Sequence, residues 1–419
     1  MQIKVSVNMQ DKETQIQLCQ GCELAVYRVA IQPKQSAYCP RCGSLLYQGT
    51  HPSLSGNLAL AITCLLLLIL AHWFNFLTIR LFGIMISASL PAGIWAIASE
   101  GYPALALLVF FCSSLAPLLI LMTIMLAHFA LHYRWFNIFR YSLLAMQKLK
   151  PWSMIDVFLV SVAVTCFKLI DYADIFIGPA LYSLLLLQIL TILLISRISN
   201  QRYWEAWQPE SHYPKLSQKR MHCHYCHLSQ DVNEYCIRCN QKLHYRKPLS
   251  IQRTWAYTCL AAIAIIPANV IPISIFISHG QRLEDTIFSG VVTLINNGMY
   301  AIAAIIFIAS IVVPVVKILA LIYLLLTIQY HCTRYHRQRM TIYYIIKWIG
   351  KWSVMDLFVI SIMLSLIDHG QLLNFTPGYG AVAFGCVVIL TMLATESLDS
   401  RLIWDSIAVN TNHSESSDE

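Results

Sequence analysis

Long apolar runs, each broken by a short polar stretch, set the rhythm of this chain. Eight of them are read as membrane-spanning helices: roughly 58–79, 104–127, 153–170, 177–197, 255–278, 299–328, 353–368 and 378–397. A bilayer core of roughly 30 Å takes about 20 helical residues. Each half also holds a shorter apolar segment, 82–100 and 279–298, with small polar residues in both and Pro91 and Gly93 in the first. These two are expected to be re-entrant or interfacial turns.

The pattern is written twice. Gly93, Gly101 and Pro117 recur as Gly290, Gly298 and Pro314, each 197 residues on. Trp152, Ser153, Asp156, Phe158, Ser161 and Thr191 recur as Trp352, Ser353, Asp356, Phe358, Ser361 and Thr391, each 200 residues on. Each copy is a Cys-rich segment followed by four helices. An even number of spans brings both copies into the membrane the same way round, which makes a parallel repeat. The expected fold is therefore an all-α polytopic membrane protein built from two four-helix units. The expected domains are a ribbon over 1–57, a first unit over 58–200, a second ribbon and linker over 201–254, a second unit over 255–400 and a disordered cytosolic tail over 401–419.

Composition agrees: of 419 residues 57% are hydrophobic and only 12% charged, where soluble domains carry about 25% charge. The net charge of +8 raises the question of nucleic acid, but its distribution follows topology. Arg134, Arg140, Lys148 and Lys150 fill one loop and Arg334, Arg337, Arg339, Lys347 and Lys351 another, with no acid in either. The opposite loops hold Asp171 and Asp174, and Arg282, Glu284 and Asp285. The excess of Lys and Arg in cytoplasmic loops places both termini and the connector 198–254 in the cytoplasm. The first 57 residues are polar and show no signal-peptide pattern.

Eight of the 14 cysteines form CxxC pairs: Cys19/Cys22 with Cys39/Cys42, and Cys223/Cys226 with Cys236/Cys239. Two such knuckles complete a tetrahedral Cys₄ zinc site, so two structural zinc ions are expected. His222, His224 and His227 crowd the second set and are alternative ligands. A redox dithiol is the competing reading. The pairs come in twos, however, in segments too small to fold on a core of their own, where a metal supplies the missing folding energy. The other six cysteines lie in or beside spans and are read as packing residues.

Asp156 and Asp356 sit near the cytoplasmic starts of their helices, where a carboxylate meets the positive end of the helix dipole and caps free N–H groups. Asp356 has a second possibility in Lys317, which lies inside the run SIVVPVVKILALIYLL and whose counterpart in the first half is Ile120. An ionisable residue inside a span marks a functional site by default. Lys317, Asp356 and Thr391 are expected to meet in the cytoplasmic third of the membrane, with Lys317 and Asp356 facing each other; Ser310 shares the Lys317 face about 10 Å further out, and Ser353 shares the Asp356 face. The pair is read as a structural ion pair, as a site that gains and loses a proton, or as one that attracts a lipid headgroup. Pro267 and Pro272 in PANVIPI are expected to kink or unwind the fifth span.

Together, the paired CxxC ribbons, the two four-helix units, PANxxPI and the repeated WSxxD-x-F resemble the paraquat-inducible protein A family, LetA-like proteins included, from Cys19 to about Thr395. The chain departs from the pattern in two places: the first half reads LAHWFNF where the second reads PANVIPI, and Lys351 stands where Pro151 precedes the first Trp. The resemblance implies a bacterial inner-membrane protein with tetraspanin-type bundles. It implies a partner with mammalian-cell-entry (MCE) domains forming a tube across the periplasm, and phospholipid as cargo. It also implies proton coupling through the second unit's polar cluster. No Gly-rich nucleotide loop is present, and neither an enzymatic role nor nucleic-acid binding is expected. A membrane thiol oxidoreductase and a non-transporting scaffold are the alternatives.

Overall fold

A computed structural model describes residues 2–4, 16–27, 29, 31–32, 35–49, 53–81, 84–169, 174–208, 220–278, 281–296, 298, 300–332, 334–367 and 373–405. Asp171 and the tail beyond residue 405 lie outside them.

The first ribbon carries strands β1 (Gln2–Lys4), β2 (Ile16–Leu18), β3 (Ala25–Tyr27), β4 (Ser36–Tyr38) and β5 (Leu45–Gln48). Helix α1 (Leu54–Trp73) follows, started by Ser53, whose hydroxyl accepts from the Gly56 N–H at 3.2 Å. A hairpin of β6 (Leu77–Leu81) and β7 (Ile84–Ala88) leads into the short α2 (Leu90–Ser99). Next come α3 (Pro103–Phe110), a π-helical turn (Phe111–Leu115), α4 (Ala116–His132), α5 (Phe136–Leu149) and α6 (Ile155–Leu169). Strand β8 (Asp174–Ile177), α7 (Pro179–Arg197) and α8 (Asn200–Trp207) close the first half.

The second ribbon has β9 (Arg220–His222) and β10 (Ser229–Asp231). The same order of elements then returns: α9 (Ser250–Val270), β11 (Ser274–Ser278), β12 (Gln281–Asp285), α10 (Ile287–Asn296), α11 (Tyr300–Phe307), a π-turn (Ile308–Val312) and α12 (Val313–Gln329). It continues with α13 (His336–Ile349), a 3₁₀ turn (Gly350–Val354), α14 (Met355–Ile367), β13 (Leu373–Pro377) and α15 (Tyr379–Ser397).

Six helical stretches among the described residues are long and apolar enough to cross a membrane: Leu54–Trp73, Pro103–His132, Phe136–Phe167, Pro179–Arg197, Ala303–Gln329 and Tyr379–Ser397. The expected fifth and seventh spans, α9 and α14, are not among them. Helix α9 is loaded with polar and breaking residues, Arg253, Pro267 and Asn269 among them. Helix α14 has 13 residues, about 20 Å at 1.5 Å per residue. Rows of exposed apolar side chains, such as Ile62, Leu66, Ile69 and Leu70 on α1 and Leu185, Ile189 and Ile192 on α7, mark surfaces that only lipid solvates well.

The expected all-α body carries sheet in the turns between its helices. The segments read as re-entrant or interfacial turns each hold the second strand of a hairpin, β7 or β12, and a short helix, α2 or α10, and each hairpin is joined by a third antiparallel strand: β7-β6-β8 in the first half and β12-β11-β13 in the second. Short alternating stretches such as LTIRL and SIFIS suit a two-faced strand, and the pairing satisfies backbone groups that a re-entrant coil would leave bare. The fifth span accordingly ends at Val270 rather than 278. The helix runs through Pro267, and Pro272 falls just beyond it, after an extended Ile271.

The third strands tie distant helices together at two glycines. Gly178 N–H donates to Phe76 O at 3.0 Å, and Gly378 N–H to Ile273 O at 2.9 Å. A Cβ on Gly178 would stand 2.1 Å from Asn75 O, and one on Gly378 2.1 Å from Pro272 O. No other residue permits so close an approach.

Both π-turns fall just before a proline, Pro117 and Pro314. Proline lacks the N–H and crowds the preceding turn, and a wider turn relieves that crowding. In the first half the Cys112 carbonyl inside the π-turn is met by the Met154 N–H at 3.4 Å. The two halves join along α6 and α14, where the Phe158 and Phe358 rings meet edge to face at 5.5 Å and Ser161 Oγ donates to Met355 O at 3.0 Å.

The ribbons dock crosswise. The first packs with Leu321, Leu324 and Leu325 of α12, Met340 and Tyr343 of α13, and Leu398, Ile403 and Trp404, all in the second half. The second ribbon packs with the first half: Gln147 Nε2 donates to Tyr225 O at 2.9 Å, and the Arg238 guanidinium lies 5.8 Å from the Trp204 ring. The expectation of disorder from residue 401 fails for the first residues of the tail, because Arg401, Ile403 and Trp404 are buried beneath the first ribbon.

Candidate functional site

All eight CxxC thiols are buried and gather into two groups, Cys19/22/39/42 and Cys223/226/236/239, whose ligand atoms lie within 4.8 Å of one another. The backbone explains why. In each knuckle the first cysteine's N–H donates to the carbonyl five residues on, and its own carbonyl accepts from the N–H four residues on, at 2.8–3.1 Å. The fourth residue is left-handed every time: Glu23 (φ 56°), Gly43 (73°), His227 (59°) and Asn240 (51°). Gly and Asn enter that region readily; Glu23 and His227 do so at a cost of order 1 kcal/mol.

Sulfur separations of 3.5 Å (Cys19–Cys42, Cys226–Cys236) and 3.6 Å (Cys22–Cys39, Cys223–Cys239) fit a tetrahedral ion. Metal–sulfur bonds of about 2.3 Å give a tetrahedron edge of about 3.8 Å. Ser44 Oγ sits 3.0 Å from both the Cys19 and Cys42 sulfurs, placed to donate to a thiolate. The histidine alternative is not taken up: His222 instead faces His227 at 5.4 Å between ring centres. The residues present therefore fit two metal ions held by sulfur alone. Of the other cysteines, Cys64 and Cys112 are buried as packing residues, whereas Cys259, Cys332 and Cys386 are exposed.

The polar residues of the second half are only partly brought together as expected. Ser310, Lys317, Ser353 and Thr391 are each 1–2% exposed. Lys317 Nζ donates to Thr391 Oγ1 at 3.0 Å, while no Lys317–Asp356 ion pair occurs among the described residues. The reason is placement. Asp356, half-buried, opens the first turn of α14, whereas the Lys317 ammonium lies against the turn before it. A Cβ on Gly350 would stand 3.1 Å from Lys317 Nζ. Gly350 is thus a site residue that the sequence reading missed. Its signal was in the repeat, where Lys150 stands in the first half and glycine in the second. Ser310 Oγ, in the π-turn, and Ser353 Oγ, in the 3₁₀ turn, are buried without hydrogen-bond partners. The Ser353 hydroxyl therefore does not cap α14.

A charged network clasps the first ribbon and was not foreseen. Glu23 bridges two arginines, accepting from Arg246 NH1 and Arg401 NH1, each at 2.6 Å. Arg246 also pairs with Asp405. Arg401 donates from Nε and NH2 to Asp399 at 3.0 and 2.9 Å, and the Lys247 N–H donates to the same carboxylate at 3.1 Å. Sequence separations of up to 378 residues hide this cluster from any local pattern.

A helical, membrane-capable body bearing two buried Cys₄ clusters defines a polytopic membrane protein with two ribbons able to hold metal ions. The chain belongs to the paraquat-inducible protein A family, whose profile matches residues 54–208 and 251–408. It is 39% identical over 397 residues to the lipophilic envelope-spanning tunnel protein A of Escherichia coli K12, covering 93% of this chain and 91% of that one. It is 30% identical over 401 residues to the intermembrane transport protein PqiA of the same organism, covering 93% and 95%. Both names are those of transport proteins and neither is that of an enzyme. No solved structure matches the chain.

Proposed function

We propose that the chain is the inner-membrane subunit of a system carrying phospholipid between membranes, passing it to or from an MCE-domain tube protein in the periplasm. In this reading 58–200 and 255–400 are parallel four-helix units with both termini in the cytoplasm. The ribbons of 1–57 and 201–254 each hold one structural zinc. Proton movement is coupled through Ser310, Lys317, Ser353, Asp356 and Thr391. The relatives' names, "envelope-spanning tunnel" and "intermembrane transport", supply the class of cargo movement. The basic loops supply the orientation.

The observation that carries the coupling is Lys317. It is an ammonium in an apolar helix, 2% exposed, that donates to the Thr391 hydroxyl. A lysine so placed costs about 2.5–3.5 kcal/mol at a helix centre even by the mildest scale. Facing a hydroxyl rather than a carboxylate, it can gain and lose a proton without breaking an ion pair. The thiol oxidoreductase reading is weaker, because all eight CxxC sulfurs are buried in fourfold clusters and an attacking thiolate needs access.

The test is Lys317→Met, read as restoration of the envelope barrier in cells lacking the native protein and as lipid recovered on the tube. Transport is expected to fall more than tenfold while the variant inserts, carries both metals and elutes as wild type. Full transport by a well-folded Lys317→Met would remove the coupling role and leave the scaffold reading.

A further inference from the structure

A cavity of about 410 Å³ opens where the first ribbon, the second ribbon and the ribbon-facing end of the first half meet. Its apolar floor includes Ile120 and Ile124 of α4. Above the floor stand three cations, Lys150, Arg197 and Arg202. The carboxylate in the lining, Glu205, accepts from Gln201 Nε2 at 3.0 Å. Arg202 NH1 and Asn200 Nδ2, on two of the lining residues, are buried N–H donors with no hydrogen-bond partner among the described residues, and the buried ring nitrogen Nδ1 of His227 beside them has none either. Buried N–H groups without acceptors carry a full desolvation cost. So much unspent donor capacity around an open space marks a place for an acceptor-rich ligand.

The internal repeat supplies the comparison. Two hundred residues on from Ser199, which lines the cavity, stands Asp399. In the second half that position supplies its own anion. The Asp399 carboxylate accepts from the Lys247 and Arg401 backbone N–H groups, each at 3.1 Å, and from the Arg401 guanidinium. The first half's cations Lys150, Arg197 and Arg202 correspond to Gly350, Ser397 and Leu402. One copy thus fills the position with its own carboxylate, and the other places a serine there beside three cations and the Glu205 carboxylate.

We propose that this cavity binds a phosphoryl anion: the headgroup phosphate of a lipid, its first methylenes on the isoleucine floor, or a free phosphate. Guanidinium and ammonium groups with amide N–H donors are the chemistry that recognises phosphate oxygens. The site is separate from the Lys317 cluster and does not rest on the transport reading.

Full-length protein in detergent is titrated with phosphatidylglycerol or diacylglycerol, read by native mass spectrometry, and with inorganic phosphate, read by ³¹P NMR. Arg202→Gln, Arg197→Gln and Ser199→Asp are compared with wild type. Lys317→Met serves as the control that keeps binding even where transport fails. Phosphatidylglycerol retained over diacylglycerol, and weakened at least about tenfold by Ser199→Asp and Arg202→Gln, assigns the site to a lipid headgroup. Saturable inorganic phosphate binding lost in the same variants, with no preference between the lipids, assigns it to free phosphate. Absence of both in wild type overturns the proposal, as does undiminished binding in a folded, metal-loaded Ser199→Asp or, should that variant misfold, in the exposed-site Arg197→Gln.

Discussion

At the residue scale, Asp399 concentrates the consequences of burial. Burial alone would raise its carboxyl group. The Arg401 guanidinium and the N–H groups of Lys247 and Arg401 instead hold it well below the usual carboxylate range. A depressed folded value means that its stabilisation is present above the unfolded value, about 3.9, and is lost as pH falls through the folded value. Asp399 and Arg401 are each 2% exposed, so removing the Asp399 charge takes the acceptor from Arg401 Nε and NH2 and leaves the guanidinium, among the described residues, only its NH1 bond to Glu23. Asp399→Asn is expected to cost about 3–5 kcal/mol, with the gap to wild type closing below about pH 4. Thermal melts in detergent at pH 7, 5 and 3 check this; equal melting of the two proteins at pH 7 would show the carboxylate to be dispensable. Lys317 is the opposite case, a charge that donates to a hydroxyl, and that contrast is why one is read as structure and the other as function.

At the element scale, each ribbon is a pair of knuckles whose left-handed fourth residue closes the turn around the sulfurs. So few strand hydrogen bonds do little to hold such a segment, and a metal bound by the four sulfurs would supply the missing folding energy. Cys22→Ser is expected to lower bound metal from two ions per chain to one and to make Cys19, Cys39 and Cys42 reactive to thiol reagents, leaving the second ribbon's four protected. Metal analysis with thiol counting measures it, and an unchanged two ions would mean that the first ribbon is not a metal site. The π-turns before Pro117 and Pro314 belong to this scale as well. They show one local conflict resolved the same way in both copies, and they place Ser113 and Ser310 in the bundle interior, each 2% exposed.

At the scale of the whole molecule, the crossed docking of ribbons binds the halves into one body. The first ribbon's Gly21 turn is so close to α13 that a Cβ there would stand 2.9 Å from Met340 Cε. Arg41 lies 4.6 Å over the Trp404 ring, and the ribbons touch through Leu18 N–H and Ser229 Oγ at 2.9 Å. A chain cut between residues 208 and 220 and coexpressed as two pieces is therefore expected to copurify as a complex. Glu23→Ala should weaken that complex, because it frees one side of both Arg246 and Arg401. Pieces that separate in mild detergent would show that α6 and α14 and the crossed ribbons do not hold the halves together.

Much of this was legible in the chain itself. The apolar runs, the 197- and 200-residue repeat and the CxxC spacing are local or periodic signals, and they determined the helical membrane body and the two sulfur clusters. The hairpins at 77–88 and 274–285 were read as span ends and as re-entrant or interfacial turns, because short strands such as LTIRL and SIFIS look like pieces of a broken helix until a third strand pairs with them. The pairing of Lys317 with Thr391 rather than Asp356, the approach of the Lys317 ammonium to Gly350, the clasp on Glu23 and the crossing of the ribbons were decided by tertiary structure alone. Each depends on which groups, far apart in sequence, arrive within hydrogen-bonding distance. A one-dimensional pattern carries periodicity and charge; it does not carry the packing that chooses a partner among several of like chemistry.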